Sequence, residues 1–161
     1  DPVYYVKNSI IEMYNKGLDL NYYKADEIRL AEWALENVEV FKDSIPVPIS
    51  WDSTPGNWLV DEDENFTGMI DFENMLWGID VDNFAILFER YFPDCPNGKD
   101  AFFRGYGADV LENKELMIKI VCIKKGLSDI LWGLENNEDR NVKLGRNMLL
   151  SISHTITNGL P

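Results

Sequence analysis

Histidine and cysteine are scarce in this sequence, which has one His and two Cys in 161 residues. Cys95 and Cys122 form no Cys-x-x-Cys pair, and no His cluster accompanies them. The sequence therefore excludes a structural zinc site, which needs clustered ligands, and free thiols in a reducing cytoplasm are expected. A His-based catalytic triad would have to use His154, and the sequence has no nucleophile-elbow motif to serve it.

Basic residues and long apolar runs are also scarce. Fifteen Lys and Arg stand against 28 Asp and Glu, which gives a formal net charge of −13. A negative field repels nucleic acid and anionic membranes, and no apolar run is long enough to span a bilayer. We therefore expect a cytoplasmic protein with no nucleic-acid or membrane partner. The same field suits either a merely solvated acidic surface or a site for a cationic substrate.

The length and the 45% hydrophobic content indicate one domain, residues 1–161, with a sizeable core. Apolar residues recur at helical spacing in most of the chain. The predicted helices cover residues 3–18, 26–38, 81–91, 100–106, 116–134 and a segment around 148–156. The fold class is therefore mainly α (α+β). The chain begins with Asp1 rather than Met, so we expect sequence upstream of it.

The middle of the chain carries the only predicted strands. Pro46 and Pro48 favour extended backbone, and residues 49–57 have no periodic pattern and are predicted to be a loop. Two β-favouring runs, 58–60 and 66–72, flank a polar turn and predict a hairpin. The predicted subdivision is a helical segment over 1–45, the loop and hairpin over 46–80, and a helical subdomain over 81–161.

Three polar residues flank this predicted hairpin at informative spacing. Asn57 follows Asp52 by five residues, and Asp71 lies fourteen residues beyond Asn57. Phosphoryl transfer needs a carboxylate beside the acceptor hydroxyl and oxygen ligands that hold Mg²⁺ against the phosphates. Kinases use an Asp, an Asn five residues later and a second Asp after a hairpin. Each residue alone is more often structural, but the joint pattern in this context indicates a kinase-type site.

The surrounding motifs resemble those of the aminoglycoside phosphotransferase and choline kinase family. Asp52-Ser-Thr-Pro-Gly-Asn57-Trp-Leu-Val-Asp61 is similar to the family's H-G-D-x-x-P-G-N-x-L-V-D, and Thr67-Gly-Met-Ile-Asp71-Phe-Glu73 to its G-x-I-D-[FW]-E. Arg104-Gly-Tyr-Gly107 also resembles a Gly-Tyr-Gly in the family. The resemblance is dense over residues 50–107.

The resemblance implies the C-terminal lobe of a protein-kinase-like fold, with helices around a central hairpin. It makes Asp52 the catalytic base or hydroxyl-orienting residue, Asn57 and Asp71 the Mg²⁺ ligands, and Glu73 a candidate substrate contact. The implied reaction moves the γ-phosphoryl group of ATP or GTP to a hydroxyl of a small substrate. Together with the acidic balance, it favours a cationic substrate of the aminoglycoside or choline type.

Two residues differ from the family pattern, and one lobe of the family fold has no counterpart in the sequence. Ser50 stands where the family has a loop-supporting His, and Asn83 where it has a buried Asp; both are expected to support the loop by hydrogen bonding. Residues 1–49 contain no Gly-rich phosphate loop and no strand-borne Lys, so the nucleotide-binding N-terminal lobe is expected to be absent from this chain. Two alternatives stay open: a catalytically inactive kinase-like binding or scaffold domain, and an unrelated acidic helical interaction domain.

Overall fold

Two helices precede the loop region in a computed structural model that describes residues 1–50, 52 and 54–157. They are α1 (Pro2–Asp19) and α2 (Ala25–Glu36). The Asp1 carboxylate caps α1 by accepting a hydrogen bond from the backbone nitrogen of Tyr4 at 3.1 Å. Both helices were predicted from apolar spacing, and their boundaries agree within one or two residues. A short 3₁₀ turn, Val38–Phe41, follows α2.

Four short strands form two separate two-stranded sheets. They are β1 (Val47–Ser50), β2 (Trp58–Val60), β3 (Phe66–Met69) and β4 (Met75–Gly78). The antiparallel pairing of β2 with β3 confirms the predicted hairpin. The pairing of β1 with β4 was not predicted. Its register places Ser50 opposite Met75, so the segment after the hairpin returns to the strand that begins the loop.

Two boundaries predicted in this region were wrong. Ile49 and Ser50 belong to β1 rather than to the loop, because they hydrogen-bond with β4. The second hairpin strand ends at Met69 instead of Phe72, because Asp71 takes a left-handed φ of 62° and breaks the extended backbone.

Five helices form the remainder of the described chain: α3 (Asp82–Arg90), α4 (Pro96–Tyr106), α5 (Val110–Asn113), α6 (Glu115–Asn136) and α7 (Asp139–Thr157). The long helix predicted over 116–134 is confirmed as α6. The C-terminal helix starts earlier than its apolar pattern indicated, and α5 was not predicted. Pro96 is the first residue of α4, a position where the absence of a backbone N–H costs no helical hydrogen bond.

Helix α6 lies at the centre of the core and packs most closely against α7. Glycines at 126 and 145 allow this approach, because a Cβ at Gly145 would lie 2.5 Å from the backbone oxygen of Gly126. Apolar side chains from α1, α2, α3 and α6 fill the same core. None of the helices in the described ranges is long and apolar enough to cross a membrane.

Candidate active site

The loop begins where β1 meets the N-terminal turn of α3. The backbone N–H of Ser50 donates to Asn83 Oδ1 at 3.1 Å, across 33 residues of sequence. The Ser50 hydroxyl oxygen in turn accepts a hydrogen bond from the backbone N–H of Asp52 at 3.2 Å. Both residues named as loop supports therefore contact the start of the loop, one through its amide and the other through its hydroxyl.

Asp52 and Asn57 lie together at the two ends of a tight turn. The Asn57 side-chain Nδ2 donates to the Asp52 backbone oxygen at 2.9 Å, and the backbone N–H of Thr54 donates to the same oxygen at 2.8 Å. Pro55–Asn57 forms one turn of 3₁₀ helix, which Pro favours at its first position. Trp51 and Ser53, which belong to the same motif, lie outside the described residues.

The hairpin carries Asp71 back to this turn. The backbone N–H of Ile70, the residue before Asp71, donates to the Asn57 backbone oxygen at 3.0 Å. Asp71 then leaves the strand with φ 62°, a conformation that Asp tolerates better than most residues. Asn57 therefore contacts Asp52 through its side chain and the residue before Asp71 through its backbone oxygen, at one end of the hairpin.

Glu73 is not brought into these contacts. It lies exposed in the turn between β3 and β4, where the backbone N–H of Met75 donates to the Phe72 oxygen. Its carboxylate makes no hydrogen bond or ion pair within the described chain. Its role as a substrate contact stays a prediction.

The side-chain oxygens of Asn57 and Asp71 that could bind a metal accept no hydrogen bonds from described residues. Asn57 uses its Nδ2 for Asp52, and its Oδ1 accepts no hydrogen bond from a described residue. The Asp71 carboxylate likewise has no partner among them. The described residues contain no group of three or more His, Cys, Asp or Glu able to hold a metal. Mg²⁺ does not require one, because it is commonly bound by one or two carboxylates together with phosphates and water.

A buried ion pair between Asp82, the residue before Asn83, and Lys124 was not predicted from the sequence. Asp82 accepts a hydrogen bond from the backbone N–H of Ile79 at 3.1 Å and pairs with Lys124 of α6. Side-chain exposure is 1% for Asp82 and 6% for Lys124. Lys124 stands within the apolar pattern of α6, where a charged residue signals an internal partner. The pair fixes the start of α3, and so the position of Asn83.

A second charged cluster lies further along α3. Lys125 contacts Glu89 at 3.2 Å and also pairs with Asp129. Burial, followed by a hydrogen bond with Glu89, raises the pKa of Asp129 to about 7. Burial also opposes ionisation of Glu89, but hydrogen bonding with Asp129 and the charges of Lys125 and Arg90 outweigh it and lower the pKa of Glu89. The pKa values of these two carboxyl groups, which join α3 to α6, are therefore shifted in opposite directions.

Comparison with known proteins gives one match. No curated protein and no solved structure matches the chain. The profile described as "Phosphotransferase enzyme family" matches residues 16–116, which is more than half of the chain and runs from the end of α1 to the start of α6. The matched segment contains the loop, the hairpin and all six residues predicted for the site. The chain therefore belongs to the phosphotransferase enzyme family, as its aminoglycoside phosphotransferase-like motifs indicated.

Proposed function

We propose that this chain carries the catalytic residues of a small-molecule kinase that moves the γ-phosphoryl group of ATP or GTP to an alcohol. The observation that carries the proposal is that Asn57 hydrogen-bonds both to Asp52 and to Ile70, the residue directly before Asp71. The oxygen atoms that the chemistry needs are left uncommitted on Asn57 and Asp71.

In the proposed reaction, Asp52 orients the acceptor hydroxyl and receives its proton. The hydroxyl oxygen forms a bond to the γ-phosphorus as the bond from that phosphorus to the β-phosphate oxygen breaks. The nucleoside diphosphate leaves. The Asp52 carboxylate is half-buried, and its one described contact is a weak 3.5 Å approach of Thr54 Oγ1, so it is available to a substrate.

Asn57 Oδ1 and the Asp71 carboxylate would hold Mg²⁺. The ion would neutralise charge on the phosphate oxygens as the phosphoryl group is transferred. Ser50 and Asn83 would keep the Asp52 backbone in place, since they form a continuous hydrogen-bonded path from α3 to the loop. This path supports the view that Ser50 and Asn83 replace the family's His and Asp in holding the loop.

The remaining parts of the proposal rest on the family and on charge. An N-terminal lobe would complete the nucleotide-binding site, because residues 1–49 carry no phosphate-binding motif. A cytoplasmic location supplies the nucleotide. The net charge of −13 favours a cationic acceptor from the aminoglycoside or choline class, and Glu73 would be its contact.

The proposal is tested by NMR titration with Mg²⁺ and a non-hydrolysable ATP analogue, on a protein that also carries the nucleotide-binding lobe. We expect the backbone amides of Asn57 and Asp71 to shift together. Asp71→Asn should abolish the response, whereas Asp63→Asn should keep it, because Asp63 is an exposed acid in the hairpin turn with no metal role. If Asn57 and Asp71 do not respond to Mg²⁺-nucleotide, the kinase proposal fails.

The second candidate is a kinase-like binding domain without catalysis. Ser50 favours it, because a hydroxyl has less reach than the imidazole it replaces and no ring to pack. Phosphorus NMR of an alcohol mixture separates the two functions in a protein that also carries the nucleotide-binding lobe. Phosphate-ester formation that Asp52→Asn abolishes supports the kinase, and nucleotide binding without turnover supports the binding domain.

A further inference from the structure

A cavity of about 740 Å³ lies beside the loop. The hairpin and the β3–β4 turn form one wall, and helices α3 and α4 form the other. Six aromatic side chains line it: Trp58, Phe66, Phe72, Phe84, Phe102 and Tyr106. Such a volume falls within the roughly 300–1,000 Å³ typical of small-molecule sites.

The wall on the α3–α4 side is prebuilt rather than collapsed. Phe84 packs edge-on against Phe102 and Tyr106, with ring centroids 6.0 and 5.0 Å away. The Phe102 and Tyr106 rings stack at 5.7 Å with an interplanar angle of 11°. Gly105 lies between them in sequence, and a Cβ built there meets no atom within 4 Å. The open space therefore extends to the α4 backbone.

No charged residue is among the described residues that line this cavity. That is unexpected in a chain with 43 charged residues and a net charge of −13. A cation transferred into such a site would lose water without gaining a carboxylate partner. Contact with aromatic faces offsets only about 2 kcal/mol of that loss. The local lining therefore favours an uncharged group inside the cavity, and a cationic group of the acceptor that the net charge favours would have to lie outside it.

Two polar groups on the loop side remain available to a ligand. Asn83 uses Oδ1 for the Ser50 amide, and its Nδ2 donates to no described residue. The Ser50 oxygen accepts from the Asp52 amide, and its own O–H donates to none of them either. Both residues line the cavity. A ligand oxygen could satisfy these donors, whereas a purely apolar surface would leave them unpaired.

We propose that this cavity holds an uncharged, oxygen-bearing aromatic or alicyclic body of a small molecule. The inference deepens the proposed function, on which its catalytic meaning rests: the cavity begins at Ser50, two residues before Asp52, and reaches Phe72, directly after Asp71. The occupant is then the acceptor alcohol, held by its non-reacting part.

A matched set of probes on one naphthalene skeleton tests this inference by ligand-observed NMR on the chain itself. The probes are naphthylmethanol, naphthylmethylammonium, naphthoate and methylnaphthalene. We expect the neutral alcohol to bind at least about tenfold more tightly than either ion. It should also bind about fivefold more tightly than methylnaphthalene, because only the alcohol satisfies the free donors.

The Gly105→Leu variant tests whether the probes bind in this cavity. Its side chain enters the open cavity without a clash and should weaken naphthylmethanol binding at least about tenfold, as expected when a pocket is filled. Gly68→Leu is the matched control, because a Cβ there also meets no atom within 4 Å but Gly68 does not line the cavity. It should leave binding unchanged.

Four results would overturn the inference: no binding of naphthylmethanol, equal or tighter binding of the ammonium, equal binding to the Gly105→Leu variant, or equal binding of methylnaphthalene. The last result would show that the free donors do not contribute to binding. The Mg²⁺ response of Asp71, measured on the protein that also carries the nucleotide-binding lobe, reports separately on the proposed kinase function. An intact Mg²⁺ response without naphthylmethanol binding rejects the cavity alone.

Discussion

Helix α6 and the β2–β3 hairpin are stabilised by different kinds of interaction. Helix α6 buries twelve of its 22 residues, whereas β2 and β3 bury none of their seven. Burial of apolar surface therefore stabilises the helix, while directed hydrogen bonds position the hairpin. Segments with few buried contacts open at low free energy, which suits a site that must admit ligands.

The two regions meet at α3. Asp82 and Glu89 tie α3 to Lys124 and Lys125 of α6, and Asn83 ties α3 to the loop. Polar contacts thus run from the buried core through α3 to the more exposed site. The following predictions test this division, from the largest expected effect to the smallest.

Lys124→Met is expected to have the largest effect on stability. It leaves the Asp82 carboxylate buried without its cation, which typically lowers the free energy of unfolding by about 3–5 kcal/mol. The double variant Asp82→Asn/Lys124→Met should recover most of that loss, because no charge stays buried and Asn can still accept from the Ile79 amide. Urea unfolding measures both. A double variant as unstable as the single one would show that the pair does not act through its charges.

Leu127→Ala tests the core half of the comparison. Leu127 is fully buried in α6, and its truncation should lower the free energy of unfolding by about 2–5 kcal/mol. Leu59→Ala in β2 is the matched control. Leu59 is 45% exposed, so its truncation should change stability by only about 0.5 kcal/mol. Comparable losses in urea unfolding would contradict the division between core and site.

The raised pKa of Asp129 predicts a dependence of stability on pH. The folded pKa of Asp129, about 7, lies above the unfolded value near 4. Between these values the folded state binds more protons, so stability falls as pH rises from about 4 to 7 on account of this group. The lowered pKa of Glu89 affects stability only at pH values below the ordinary range of a Glu carboxyl group.

Thermal unfolding between pH 5 and 8 measures this effect, which we expect to be about 1–3 kcal/mol in the free energy of unfolding. Asp129→Asn should flatten the dependence, because the amide keeps the shape and cannot ionise. Asp26→Asn is the control, since Asp26 is exposed and pairs only with the neighbouring Arg29. An unchanged profile in Asp129→Asn would assign the proton elsewhere.

The helical half of the fold could be predicted from the sequence, because each helix buries one regular stripe. The steps of three and four from Leu116 to Leu134 suffice to predict α6. The β1–β4 pairing could not be predicted in this way. Each of these strands is four residues long, and their paired residues lie 25 to 31 positions apart in sequence. Local periodicity carries no information about such a partner.

The site shows the same limit. The candidates Asp52, Asn57 and Asp71 were chosen from motif spacing, and the family resemblance gave Ser50 and Asn83 as loop supports. The buried Lys124–Asp82 pair and the aromatic cavity could not be predicted in this way, because both depend on how α3, α4 and α6 approach one another. The cationic substrate inferred from net charge stays a prediction, because the field of the whole chain and the lining of the site both act on a ligand.

Asp71→Gly tests the site half of the comparison and should have the smallest effect on stability, with the opposite sign. Asp71 has φ 62°, where an L-residue with a Cβ is strained and glycine is not. Glycine loses more conformational entropy on folding, so the net gain in the free energy of unfolding should be about 0.5 kcal/mol. Asp63→Gly is the control, because Asp63 has no positive φ to relieve and should lose stability instead. The same Asp71→Gly protein should lose its Mg²⁺ response. A stabilised variant without that response would show that the strained residue at the hairpin end is kept for ligand binding; a destabilised one would show that the Asp71 side chain supports the fold.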